Sequence, residues 1–133
     1  MTFATATTER EFANDETAAL TLSPPSLLPI YLALQATAHH VDSINDSNDS
    51  SLTAEVILST IATQVPGAEE KERVVQAAGE VARAAGGELH NVSALTGGMV
   101  AQEMIKIVTK QYIPVDNTCV YDGIGSRCQV LRL

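Results

Sequence analysis

Apolar residues in this chain fall into helical stretches followed by a pair of short alternating runs. The most regular stretch is His90 to Lys110, HNVSALTGGMVAQEMIKIVTK. On a wheel turned about 100° per residue, Val100, Met104, Ile107, Val108, Ala101 and Ile105 share one continuous arc. Gln102, Glu103, Lys106, Thr109 and Lys110 fill the opposite side. The arc is wider than a surface helix needs, and a helix of that kind packs on two partners, such as a sheet and another helix. Asn91 suits the N-cap by residue type; Pro114 and Asp116-Asn117 supply the stop. Gly97-Gly98 then lies inside the helix, where each glycine costs about 1 kcal/mol relative to alanine. Such a pair either ends a short helix or lets another backbone approach closely.

Upstream, Pro24-Pro25-Ser26 opens a helix over Leu27 to His40, with Ser26 as cap and Pro29 in the first turn. Ile30, Leu34 and Val41 recur at helical spacing, with Tyr31 and Ala38 beside them. Asp42 to Ser51 is a polar loop. Thr53 to Gln64 predicts a second helix, although Val56-Ile57-Leu58 also suits a short buried strand. Pro66-Gly67 ends it. Ala68 to Ala85 predicts a third helix, with Glu69, Glu70 and Glu72 at the positive end of its dipole. Its thin apolar face is Val74, Val75, Ala78 and Val81, and Gly86-Gly87 is its stop. After Asn117 the period shortens. Thr118 to Tyr121 and Arg127 to Leu133, joined by Asp122 to Ser126, predict a β-hairpin. Two strands alone are marginal in water, and the wide arc of the 98–110 helix offers a cover. Residues 1–23 are Thr/Ala/Glu-rich with isolated Phe3 and Phe12, which predicts a disordered or poorly packed tail.

Composition narrows the options. A chain of 133 residues is one domain at most. Aromatics make up only 4% with no Trp, so large core anchors are few. A net charge of −8 argues against nucleic acid or an anionic membrane as partner. No apolar run approaches the ~20 residues that span a bilayer, and the N-terminus lacks the pattern of a secretory signal. Cys119 and Cys128 make neither a disulfide framework nor a zinc site. A reducing, intracellular compartment is expected.

The candidate chemistry is sparse. Neither the Gly97-Gly98 region nor Asp122-Gly-Ile-Gly-Ser matches a nucleotide-binding glycine fingerprint. Cys119 and Cys128 alternate with Val, Tyr and Gln in a predicted strand and lack a base, so they are expected to be small, buried or half-buried strand residues. His39, His40 and His90 have no ligand partner at helical spacing. Asp42 to Asp49 lacks the glycine and glutamate of a calcium loop. Asn45, Asn48 and Asn91 head glycosylation tripeptides with no secretion signal to make them relevant. Gln102, Glu103 and Lys106 make i,i+3 and i,i+4 pairs; their alternative role is a polar contact across a partner interface. No catalytic, cofactor-binding or metal-binding residue is expected. Gly97, Gly98, Gln102, Glu103 and Lys106 are the structural or interface candidates.

A resemblance gives this pattern a context. Leu89-His90-Asn91-Val92, Gly97-Gly98, the run from Ala101 to Tyr112, Asn117-Thr118 and Val120-Tyr121-Asp122-Gly123 resemble, in order, the C-terminus of a known type of subunit. It is the regulatory subunit of the heterodimeric activating enzyme for the NEDD-type ubiquitin-like modifier, a branch of the ThiF-like superfamily. Gly-Gly…Ala-Gln-Glu…Ile-Lys is common to the superfamily; the Lys-Gln-Tyr…Asn-Thr…Tyr-Asp-Gly continuation narrows it. Residues 26–41 resemble an upstream helix of the same subunit less specifically. The resemblance implies an α/β fold: the C-terminal part of a Rossmann-like adenylation domain, preceded by helices of the insertion related to the catalytic-cysteine domain. Residues 1–23 would be an unmatched tail, 24–87 part of the insertion, and 88–133 the closing helix and hairpin. It also implies a noncatalytic subunit of a cytoplasmic and nuclear heterodimer. The catalytic subunit of that pair binds ATP, adenylates the modifier and carries it as a thioester in neddylation. The family's glycine fingerprint and the arginine lent to the partner's ATP site have no counterpart here. The chain is therefore expected to be a fragment with an incomplete sheet, and its helix arc and strand edges to be uncovered. A catalytic adenylyltransferase tail and a nonfunctional truncated product are the alternative readings.

Overall fold

The structure is a computed structural model that describes residues 10, 12, 25–44, 53–84 and 87–133. The chain forms two compact units, residues 1–86 and 87–133.

The first unit contains helices α1 (Leu28–Ile44), α2 (Ala54–Gln64) and α3 (Glu72–Ala84), each packed on the other two. Ser26 opens α1 as its residue type predicts: the Leu28 N–H donates to Ser26 Oγ at 3.2 Å. Pro29 stands where the missing N–H costs nothing. The helix runs on through Ile44, past the predicted stop, so Asp42 and Ser43 are helical and not loop. Its buried face also differs from the expected one. Leu28, Leu32, Ala33 and Ala36 are buried, as is Leu27 just before the helix, whereas Leu34 is 51% exposed. The physical reason is that LLPIYLALQATA is apolar almost all round, so spacing alone does not select a face.

Thr53 decides between helix and strand for Val56-Ile57-Leu58. Its side chain accepts from the Val56 N–H at 3.4 Å, and α2 follows. Ser59 and Thr60 turn their hydroxyls onto the Val56 carbonyl, at 2.9 Å each. Ile57 and Ile61, one turn apart, are the buried stripe. Helix α3 starts later than expected. Residues 66–71 form successive turns instead, with Gly67 at φ 87°. Ala68 and Lys71 donate to the carbonyls three residues back. Glu69 and Glu70 thus precede the helix, and only Glu72 lies in its first turn. Val74 and Ala78 are buried, while Val75 is exposed and Val81 half-buried. Arg73 Nη2 donates to the Ser26 carbonyl at 2.9 Å, joining α3 to the approach of α1. Most of residues 1–23, with Phe3, lies outside the described residues, as do most of the polar loop and Gly86. Arg10 and Phe12 are helical, and Phe12 is not isolated: the Lys71 ammonium stands 5.9 Å from its ring centroid.

The second unit contains α4 (His90–Thr109), β1 (Thr118–Asp122) and β2 (Arg127–Leu131). Leu89, not Asn91, occupies the N-cap position, without a side-chain cap bond. The helix stops before Pro114, at Lys110, which takes the left-handed conformation (φ 55°). Gly97-Gly98 is interior and ends nothing. The two strands pair antiparallel, with Thr118 opposite Leu131 and Asp122 opposite Arg127. In the connecting turn the Ile124 N–H donates to Asp122 Oδ1 at 2.9 Å, an Asx turn. A Cβ at Gly123 would stand 3.0 Å from Val92 Cγ2, so the turn lies close against the first turns of α4. Val120 and Leu131 share the buried face of the hairpin. The arc of α4 does not supply the cover predicted for the hairpin: its Val100, Met104, Ile105, Ile107 and Val108 are all more than half exposed. Among the described residues the architecture is helix-rich with one small two-stranded sheet, and no helix is long and apolar enough to cross a membrane.

Candidate functional site

The feature of α4 that most needs a function is its bare apolar arc. Val100, Met104, Ile105, Ile107 and Val108 are between 55% and 79% exposed. Tyr112 and Ile113 extend the apolar surface beyond the helix. Isolated exposed apolar residues are ordinary, but a contiguous stripe marks an association surface. Gly97 and Gly98 sit in the same helix. A Cβ at either would meet nothing within 4 Å, so neither glycine admits a close neighbour among the described residues.

The polar side of α4 is more structured than its sequence suggests. Lys106 Nζ donates to Glu103 Oε1 at 2.6 Å, and both side chains are mostly shielded, at 25% and 29% exposure. Glu103 Oε2 accepts from the Val115 N–H at 2.8 Å. This carboxylate therefore ties the helix to the segment leading into β1. Gln102 is exposed. Spacing revealed the Glu103/Lys106 pair but not the Val115 contact, because a backbone donor twelve residues on leaves no pattern in side-chain types.

The Lys106 ammonium, with the Val115 N–H second, holds the Glu103 carboxyl below the usual carboxylate range. A depressed carboxyl contributes stability above its unfolded pKa and loses it as pH falls through the lower folded value. The Val115 amide should accordingly exchange faster with solvent once acidification passes that point. In Lys106→Ala the same release should begin at higher pH. Proton NMR titration of Glu103 and exchange of Val115 measure both; identical profiles in the two proteins would refute the coupling.

Cys119 and Cys128 are exposed free thiols, not the buried or half-buried residues expected. Cys119 lies opposite Val130 and Cys128 opposite Tyr121, which puts both thiols on the face away from Val120 and Leu131. Their Sγ atoms are 3.0 Å apart. The Cys128 thiol is the main cause that pushes Cys119 up to about 11; partial burial and the Glu103 charge add to it. The proximity was legible in principle. The alternation and turn length together put both cysteines on one face. His39, in the first unit, and His90, in the second, are exposed; the side chain of His40 lies outside the described residues. No group of three metal-ligating side chains occurs among the described residues.

An exposed helix arc beside a small hairpin and a carboxylate clip has the character of an association surface. The chain is similar to NEDD8-activating enzyme E1 regulatory subunits. It is 54% identical over 54 residues to that of Drosophila melanogaster and 44% identical over 54 residues to AXR1 of Arabidopsis thaliana, covering 41% of this chain each time. It is 50% identical over 44 residues, 33% of the chain, to the Caenorhabditis elegans subunit. The matched segment spans about a tenth of these relatives' length: 10%, 10% and 8%. No family model matches, and no solved structure matches.

Proposed function

We propose that this chain contributes the C-terminal helix and hairpin of a noncatalytic regulatory subunit in a ubiquitin-like-modifier activating enzyme. The carrying observation is the 54% identity over 54 residues to a NEDD8-activating enzyme E1 regulatory subunit. The exposed arc supports it. A helix with this much apolar circumference suits the flank of a Rossmann-like, ThiF-type sheet, and two strands are too few to be that sheet. On this reading residues 26–85 correspond to the helical insertion. ATP and the modifier are bound by the catalytic subunit, which carries out adenylation and thioester formation. The chain's contribution is scaffolding: α4 and the hairpin close the regulatory subunit's fold, and that fold holds the catalytic subunit. Gly97 and Gly98 are then contact points on this larger assembly, with Gln102, Glu103 and Lys106 on its polar side. The site of action is the cytoplasm and nucleus.

A chimera tests this. The homologous C-terminal segment of the Drosophila subunit is replaced by residues 87–133 of this chain. The product should copurify with the catalytic subunit and support ATP-dependent thioester formation on the modifier. The same chimera carrying Gly97→Leu and Gly98→Leu should lose most of the heterodimer. If the parent chimera fails to pair, the scaffolding reading is wrong; if the leucine pair assembles normally, the glycines are not contact points.

A further inference from the structure

We propose that Cys119 and Cys128 form a reversible intramolecular disulfide, making the hairpin a redox modification site that takes small-molecule disulfides of the glutathione class. Three features of the hairpin support it. The two Sγ atoms are already 3.0 Å apart, so closing to bonding distance needs a movement of about 1 Å. The thiols belong to different strands but share one face, as diagonal neighbours across β1 and β2, where side chains reach each other. Both cysteines are exposed, so an oxidant reaches them without unfolding the hairpin.

The chemistry is thiol–disulfide exchange. One protein thiolate attacks the small disulfide and releases one small thiolate. The second protein thiolate attacks the protein sulfur of that mixed disulfide and releases the other. One protein S–S bond forms as one small-molecule S–S bond breaks. The protein dithiol is oxidised by two electrons, the small disulfide is reduced to two thiols, and the two cysteine protons end on those thiols. The second step is intramolecular, so proximity favours it over a second adduct. The raised Cys119 thiol is mostly protonated at neutral pH, and the pair stays reduced until oxidant and thiolate coincide. The closed bridge pins β1 to β2 in a single register, in a hairpin that two strands alone would hold weakly.

The test uses the full chain incubated with oxidised glutathione at mildly alkaline pH. Its intact mass should fall by about 2 Da, the two lost hydrogens, and it should still migrate as a monomer without reductant. Trypsin cuts after Lys110, Arg127 and Arg132, so residues 111–127 and 128–132 should be recovered as one linked species and separate on reduction. Cys119→Ser and Cys128→Ser should each stop at the glutathione adduct. The adduct should form at a rate comparable to the native bridge, because the bridge passes through the same mixed disulfide. Amide exchange across β1 and β2 should slow in the oxidised form. Separate glutathione adducts on both cysteines, bridged dimers alone, or unmodified protein would each overturn the proposal.

Discussion

Ile61→Ala destabilises the helical unit by about 2–5 kcal/mol, the range for deleting a buried branched side chain and leaving its cavity. Ile61 is fully buried, and Ile57, one turn earlier in α2, is 1% exposed. Leu28, Leu32 and Ala36 of α1 and Val74 and Ala78 of α3 are buried with them in a unit whose three helices pack on one another. Alanines make up much of that core, so few neighbours can swing in to fill the gap. Small domains have little stability in reserve, often no more than about 5 kcal/mol. The substitution therefore removes much of it, and the helical signal should melt at a clearly lower temperature. Thr63→Ala is the control. Thr63 is exposed and its hydroxyl donates to the Ser59 carbonyl of its own helix, so its effect should stay within about 0.5 kcal/mol. Chemical denaturation followed by circular dichroism compares the two. A loss for Ile61→Ala no larger than the control would mean that the three helices do not share a common core.

The second large effect concerns the arc of α4. Ile105→Asp with Val108→Asp should leave this chain's own stability unchanged, within about 0.5 kcal/mol, because both residues are exposed here. Solubility should rise. In the Drosophila chimera the same pair should abolish the regulatory fold or its heterodimer. Burying an aliphatic side chain is worth about 1.5–3 kcal/mol, and burying a carboxylate in its place costs more. The contrast between the two settings is the informative result. Destabilisation of the isolated chain would mean that the arc is already packed. Normal assembly of the chimera would mean that nothing covers it in the complex.

How much was legible in the sequence depended on what each residue had to signal against. Ser26 was readable because a capping hydroxyl has one geometric use at a helix start. The hairpin was readable because the apolar period changes after Asn117. The buried face of α1 was not, because a stretch apolar on every side carries no phase. The start of α3 was misplaced because three glutamates suit a dipole wherever the turn begins, and Gly67 let the chain spend six residues in turns first. Among the site residues, Glu103 and Lys106 emerged from spacing, while the Val115 contact depended on tertiary approach. Cys119 and Cys128 were read separately, and their meeting depends on pairing register. The arc was legible as apolar, but what it packs against is not encoded in the described residues.

The glycine pair in α4 has a consequence for how the two halves of the helix are held. Two adjacent residues without side chains leave the first half of the helix with more backbone freedom than the second, where Glu103 and Lys106 fasten one turn to the next. The upstream turns then rely on the hairpin for their winding, through the close approach of Gly123 to Val92. Displacing Gly123 from Val92 would loosen the helix before Gly97 while leaving the turns from Val100 onward in place.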